Sequence, residues 1–104
     1  MLRIYPFIVE TLREVGASAR LIAKYDIDLA RQLRRAGASV ALNTAEACGA
    51  SGGNERMRLK TALGSARGVR ACLDVADAFG YVAADAIVID MLDRICATLY
   101  RVSR

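Results

Sequence analysis

Apolar residues recur every three or four positions in four stretches of the chain, as in the series that begins Ile8, Leu12 and Val15. This spacing places the apolar side chains along one side of an α-helix, so each stretch is predicted to form an amphipathic helix. The four predicted helices cover about residues 6–24, 26–47, 54–79 and 83–102.

Residues that favour helix ends support these boundaries. Asp26 or Asp28 could cap the start of the second helix, and Asn54 could cap the third. The segment 48–53 (CGASGG) is the only clear loop in the middle of the chain. Gly80 is predicted to end the third helix, because glycine readily adopts the left-handed conformation found just after a helix.

Short connections between helices of similar length favour antiparallel neighbours. We therefore expect an all-α fold, an up-and-down antiparallel four-helix bundle, formed by a single domain over residues 1–104. The apolar fraction of 55% is high for a soluble monomer of this size. Either the core is large or some apolar surface is buried against another chain.

Composition argues against several functions. Histidine is absent, which removes the usual general base and the commonest metal ligand. We expect no catalytic residue, no cofactor and no metal. The three cysteines form no C-x-x-C pair and are expected to be free thiols in the cytoplasm. No apolar run approaches the ~20 residues of a membrane span, so we expect no membrane partner.

The net charge of +4 is concentrated in the middle of the chain, since residues 31–70 carry eight basic and two acidic residues. Four basic residues of the predicted third helix lie within roughly 80° of one another around its axis. They would form one patch with three arginines of the second helix if these lie nearby, and such a patch could bind phosphates. The candidate nucleic-acid-binding residues are Arg31, Arg34, Arg35, Arg56, Lys60, Arg67 and Arg70.

The alternative interpretation of these residues is a solvated helix face with local ion pairs, such as Arg70 with Asp74. No aromatic residue lies among the basic residues, which argues against stacking of nucleic-acid bases. Any nucleic-acid binding is therefore expected to be directed at the sugar-phosphate backbone and to be weakly sequence-specific.

The predicted second helix carries two further stripes. A polar stripe is interpreted as a structural network with an Arg35–Glu46 ion pair, and a ligand site is the alternative. The stripe begins at Gln32, and the network is assigned to Arg35, Ser39, Asn43 and Glu46. A stripe of small residues could let a second chain pack closely, although alanine could also simply favour helix. It consists of Ala30, Gly37, Ala41 and Ala45.

Several of these residues also carry a family resemblance, at Gln32-Leu33-Arg34-Arg35-Ala36, Ser39, Asn43-Thr44-Ala45-Glu46 and Gly64-Ser65-Ala66. In this combination the chain resembles the small bacterial four-helix-bundle proteins of the ribosomal-RNA intervening-sequence type. The accessory variability proteins of diversity-generating retroelements look like relatives. The resemblance implies a non-catalytic bundle that assembles into a ring, typically a homopentamer. The retroelement relatives bind a reverse transcriptase and nucleic acid.

The leading functional hypothesis is a non-enzymatic oligomeric scaffold or adaptor. It would bind RNA, DNA or a nucleic-acid enzyme such as a reverse transcriptase through the basic residues. The alternative is a protein-only interaction module without nucleic-acid binding. An enzyme is the least favoured hypothesis.

Overall fold

The structure, a computed structural model, describes residues 3–104 and contains four α-helices in this range. They are α1 (Ile4–Ile22), α2 (Ile27–Ala47), α3 (Gly52–Ala78) and α4 (Ala86–Val102). No strand occurs in these residues, so the all-α prediction is confirmed. Residues 1 and 2 of the predicted 1–104 domain lie outside the described range.

The start of α2 is set by Asp26. Its backbone is extended, and its carboxylate Oδ1 accepts a hydrogen bond of 2.9 Å from the Leu29 N–H. Asp26 is therefore the N-cap, and Asp28 lies in the first turn. A short turn separates this cap from the end of α1 at Ile22.

The start of α3 differs from the prediction. The helix begins at Gly52 and not after Asn54, so Asn54 is not its N-cap, and two glycines of the predicted loop belong to the helix. Gly52 has a φ of 59°, a conformation that glycine adopts without strain. The chain can therefore enter the helix from the extended Ser51 without a capping side chain.

The end of α3 follows the prediction. Gly80 has a φ of 75°, and its N–H donates to the Asp77 carbonyl at 3.0 Å. The Tyr81 N–H donates to the Ala76 carbonyl at 2.9 Å. These two bonds form a Schellman motif, which satisfies carbonyls that the helix itself leaves unpaired.

The predicted start of α4 near Ala83 is wrong, because the helix begins at Ala86. Asp85 caps it by accepting hydrogen bonds from the Ile87 and Val88 N–H groups, at 2.9 and 3.4 Å. The preceding connection is held by Asp77, whose Oδ1 accepts from the Ala84 N–H at 3.0 Å. The chain between α3 and α4 therefore has its own hydrogen bonds and does not continue the helix.

Each helix packs against two others: α1 and α3 both contact α2 and α4. α2 and α3 run in opposite directions, because Ser39 contacts Ser65 while the later residue Glu46 contacts the earlier residue Arg58. This arrangement is consistent with an up-and-down antiparallel bundle. The radius of gyration, 13.5 Å, is that of a compact chain of this length.

The stripe of small residues on α2 faces α1 of the same chain. Ala30 is fully buried, and a Cβ at Gly37 would lie 3.0 Å from Leu12 Cδ2 and 3.9 Å from Val15 Cγ1. The expectation that a second chain packs on this stripe is therefore wrong at Ala30 and Gly37. A helix with two neighbours needs two apolar sides, and the small side lets α1 approach closely.

Replacing Gly68 by alanine should raise the free energy of unfolding by about 0.5–1 kcal/mol, because alanine loses less backbone entropy in a helix. The added Cβ would make an ordinary contact, 3.8 Å from the Ala36 Cβ. Urea unfolding measures the change. Gly80→Ala is the opposite control and should destabilise, since its φ is positive. A less stable Gly68→Ala variant would contradict the described α2–α3 spacing.

Candidate nucleic-acid interface

A hydrogen-bonded network joins the middle of α2 to α3. The Ser65 hydroxyl donates to Ser39 Oγ at 2.7 Å. The Asn43 side-chain amide donates to both Ser39 Oγ and the Ser39 carbonyl oxygen, each at 3.0 Å. Of these bonds, only the Ser65–Ser39 bond crosses between the helices, and it favours one register of α2 against α3.

Arg58 of α3 extends this network to the surface. Its guanidinium lies 2.8 Å from a Glu46 carboxylate oxygen and donates to Asn43 Oδ1 at 3.4 Å. The predicted Arg35–Glu46 ion pair is wrong, because eleven residues of helix separate these residues by about 16 Å along the axis. Ser39, Asn43 and Glu46 are thus brought together without Arg35.

The sequence had not singled out Arg58 for this network, because Arg58 lies outside the basic stripe of α3. The sequence carries no signal for Arg58, because its position depends on the structural pairing of Ser39 with Ser65. With Ser65 beside Ser39, a residue one to two turns earlier in α3 lies beside Glu46. Only the inter-helix register, which the sequence pattern leaves open, identifies that residue.

The seven candidate nucleic-acid-binding residues do not lie on one edge of the bundle. α2 packs along the edge of α3 that carries Ser65 and Gly68. Lys60 and Arg67 lie roughly 120° further around α3, on the side of α4. The start of α2, with Arg31, Arg34 and Arg35, is therefore separated from them by the width of α3. Arg56 lies at the start of the same α3 stripe.

Arg70 differs from Arg56, Lys60 and Arg67 of the same stripe because it is held in ion pairs. Its guanidinium contacts the Asp93 carboxylate of α4, and its Nε lies 3.6 Å from Asp74 Oδ1. The predicted Arg70–Asp74 pair is therefore present. Two carboxylates beside one guanidinium leave Arg70 little charge to offer a phosphate. In the described residues, Arg56, Lys60 and Arg67 have no ion-pair partner.

Lys60 and Arg67 border an open groove of about 400 Å³ between α3 and the end of α4. Leu63 and Tyr100 contribute its apolar surface, and Arg104 a further cation. The Arg104 guanidinium carbon lies 5.7 Å from the centre of the Tyr100 ring. The Tyr100 ring thus lies beside basic side chains of α3, although no aromatic residue occurs between Arg56 and Arg70 in the sequence.

Cys72 is buried in the bundle, and Cys96 is partly buried against the core. Burial raises the pKa of Cys72, and burial also raises the pKa of Cys96, an effect that the nearby Arg67 guanidinium opposes. A raised pKa favours the thiol over the nucleophilic thiolate. These two groups are therefore poorly suited to nucleophilic chemistry at neutral pH.

Residues 3–104 lack two further features. No helix there is both long enough and apolar enough to cross a membrane. The same residues contain no group of three or more Cys, Asp or Glu side chains placed to hold a metal ion.

A family model described as 23S rRNA-intervening sequence protein matches residues 9–101. The chain belongs to this family. The matched region takes in most of α1 and α4 and all of α2 and α3, together with Lys60, Arg67 and Tyr100 of the groove. The resemblance to the intervening-sequence proteins is confirmed, and the relation to retroelement accessory proteins stays a prediction. No curated protein and no solved structure matches the chain.

The Ser39–Ser65 hydrogen bond can be tested by a double-mutant cycle. Ser39→Ala and Ser65→Ala should each destabilise, and the double variant should lose less than the two losses added together, by about 0.5–1 kcal/mol. The effect of alanine on helix stability is present in both the single and the double variants and therefore cancels. The remaining difference measures the interaction between the two serines. Urea unfolding supplies the values. Ser18→Ala with Ser65→Ala is the control and should be additive, since Ser18 lies on α1. Additive losses for Ser39 and Ser65 would contradict the network.

Proposed function

We propose that this protein is a non-enzymatic, oligomeric scaffold or adaptor that binds nucleic acid, RNA first of all, or a nucleic-acid enzyme. The observation that supports this proposal is the groove between α3 and α4, where Lys60, Arg67 and Arg104 surround one open surface. Cations without carboxylate partners attract phosphates and release their counterions on binding.

Membership of the 23S rRNA-intervening sequence protein family supports RNA over other anions. The family name connects these proteins with a ribosomal RNA gene and states no activity. DNA and a reverse transcriptase remain the other partners of this proposal, as the predicted retroelement relation implies. The proposal places the protein in the cytoplasm, where RNA is available and its three free cysteines would stay reduced.

The proposed scaffold is an up-and-down antiparallel bundle assembled as a homopentamer. Several large apolar side chains remain exposed on the single chain, including Leu42 at 61% and Met57 at 64%. Both lie on the outward side of the α2–α3 pair, away from the core. Contacts between subunits would remove such surface from water, which favours assembly.

A protein-only interaction module is the second candidate function. The exposed Met57 favours it, because Met57 lines an open surface groove together with Asn43 and Arg58, and the exposed Leu42 adds apolar surface on α2. A different protein could cover this groove as well as another copy of the chain. This candidate predicts a purified complex that contains a protein partner and no nucleic acid.

Charge reversal in the groove should weaken RNA binding. The double variant Lys60→Glu with Arg67→Glu is expected to bind a short RNA duplex at least about tenfold more weakly at low salt. Its slope of log affinity against log salt should also be smaller by one to two units, because each lost phosphate contact lowers it by about one. Fluorescence anisotropy at several salt concentrations measures both quantities.

Arg20→Glu with Lys24→Glu is the matched control for this variant. It changes the net charge equally, but both residues are exposed near the end of α1, away from the groove. The control should keep most of the affinity. Equal losses in the two variants would show that only net charge matters. A wild-type protein that binds neither this duplex nor a single-stranded RNA at low salt would refute the proposal.

The proposed assembly predicts a mass in solution of about five times the chain mass of 11.2 kDa. Light scattering coupled to size exclusion measures this mass. Leu42→Glu with Met57→Glu should shift the particle toward the monomer, because two charges would be buried in the contact. A wild-type monomer at micromolar concentration would contradict the scaffold, while leaving the fold of the single chain intact.

A further inference from the structure

The groove between α3 and α4 combines residues from two parts of the chain that are far apart in the sequence. α3 supplies Lys60 and Arg67, and α4 supplies the Tyr100 ring, which is 53% exposed. Arg104 follows α4 and lies beside that ring. An exposed ring next to unpaired cations offers a flat apolar surface and phosphate partners within one site.

We propose that this groove is a binding site for single-stranded RNA, in which one base stacks on Tyr100 while Lys60, Arg67 and Arg104 hold the adjoining phosphates. This inference rests on the proposed function and makes it more specific, since charge alone would accept a duplex equally well. It also differs from the expectation drawn from the sequence. No aromatic residue lies among the basic residues along α3, which argued against base stacking.

A single strand fits this arrangement better than a duplex does. Bases of a duplex are already stacked on their neighbours, whereas an unpaired base can turn toward an aromatic ring. Every base has a flat face, so one tyrosine gives affinity without strong sequence preference. Leu63, which lines the same groove, can contact that base by apolar packing.

The Tyr100 hydroxyl has no necessary role in this site, which provides a matched pair of variants. Tyr100→Phe keeps the ring, whereas Tyr100→Leu keeps only an apolar side chain of similar reach. Both changes are made at a half-exposed position on the surface of α4, so folding should be preserved. Circular dichroism checks that both variants remain helical.

The experiment compares two probes, an oligouridylate of about ten nucleotides and a short RNA duplex. Tyr100→Leu should bind the oligouridylate about tenfold more weakly than the wild type, while Tyr100→Phe should bind within about twofold. Neither variant should alter duplex binding. Equal oligouridylate affinity for Tyr100→Leu and the wild type would overturn stacking on Tyr100, as would an equal loss toward both probes.

The two proposals fail in different ways. A wild-type protein that binds the duplex, together with a Tyr100→Leu variant that binds the oligouridylate normally, overturns only the stacking site. A wild-type protein that binds neither probe at low salt overturns the proposed function as well. Loss of oligouridylate binding in Tyr100→Leu with normal duplex binding supports both.

Discussion

The close contact between α2 and α3, the two longest helices, is the constraint on which the rest of the structure depends. Small residues line this contact, so that Gly68 lies beside Ala36 and Ser65 donates directly to Ser39. Large side chains would hold the helices further apart and leave the hydroxyls without partners. The hydrogen bonds also select one register, because a shift by a single turn would separate both serines and leave partly buried polar groups unpaired.

Because α2 covers one edge of α3, α4 packs on the other edge. The residues of α4 then determine which basic side chains of α3 are paired with a carboxylate. On the α4 edge, Arg70 is neutralised by Asp74 and Asp93. Lys60 and Arg67 have no such partner among the described residues and meet Tyr100 instead. One stripe of basic residues therefore contains both a structural cation and the cations of the proposed RNA site.

In the proposed adaptor, the surfaces for RNA and for protein would adjoin on α3, where Met57 and Lys60 line one surface depression. The groove beside Tyr100 lies between α3 and α4, whereas the exposed Leu42 and Met57 lie on the outward side of α2 and α3. In such an assembly, Tyr100 and Arg104 on the α4 side of each groove would remain open to RNA. Repeating the groove around a ring would place several weak sites on one particle and raise the overall affinity for a long strand.

The sequence by itself determined the all-helical fold, the four apolar faces and the end of α3 at Gly80. The spacing of apolar residues, their helix propensity and the backbone freedom of glycine are all local properties of the chain. It misplaced the starts of α3 and α4, where a left-handed Gly52 and the Asp85 cap outweighed the apolar pattern. Only the tertiary structure decided the pairing of Glu46 with Arg58 and the meeting of Tyr100 with Lys60. Such contacts depend on the register and neighbours of whole helices, which the side chains of a single helix do not specify.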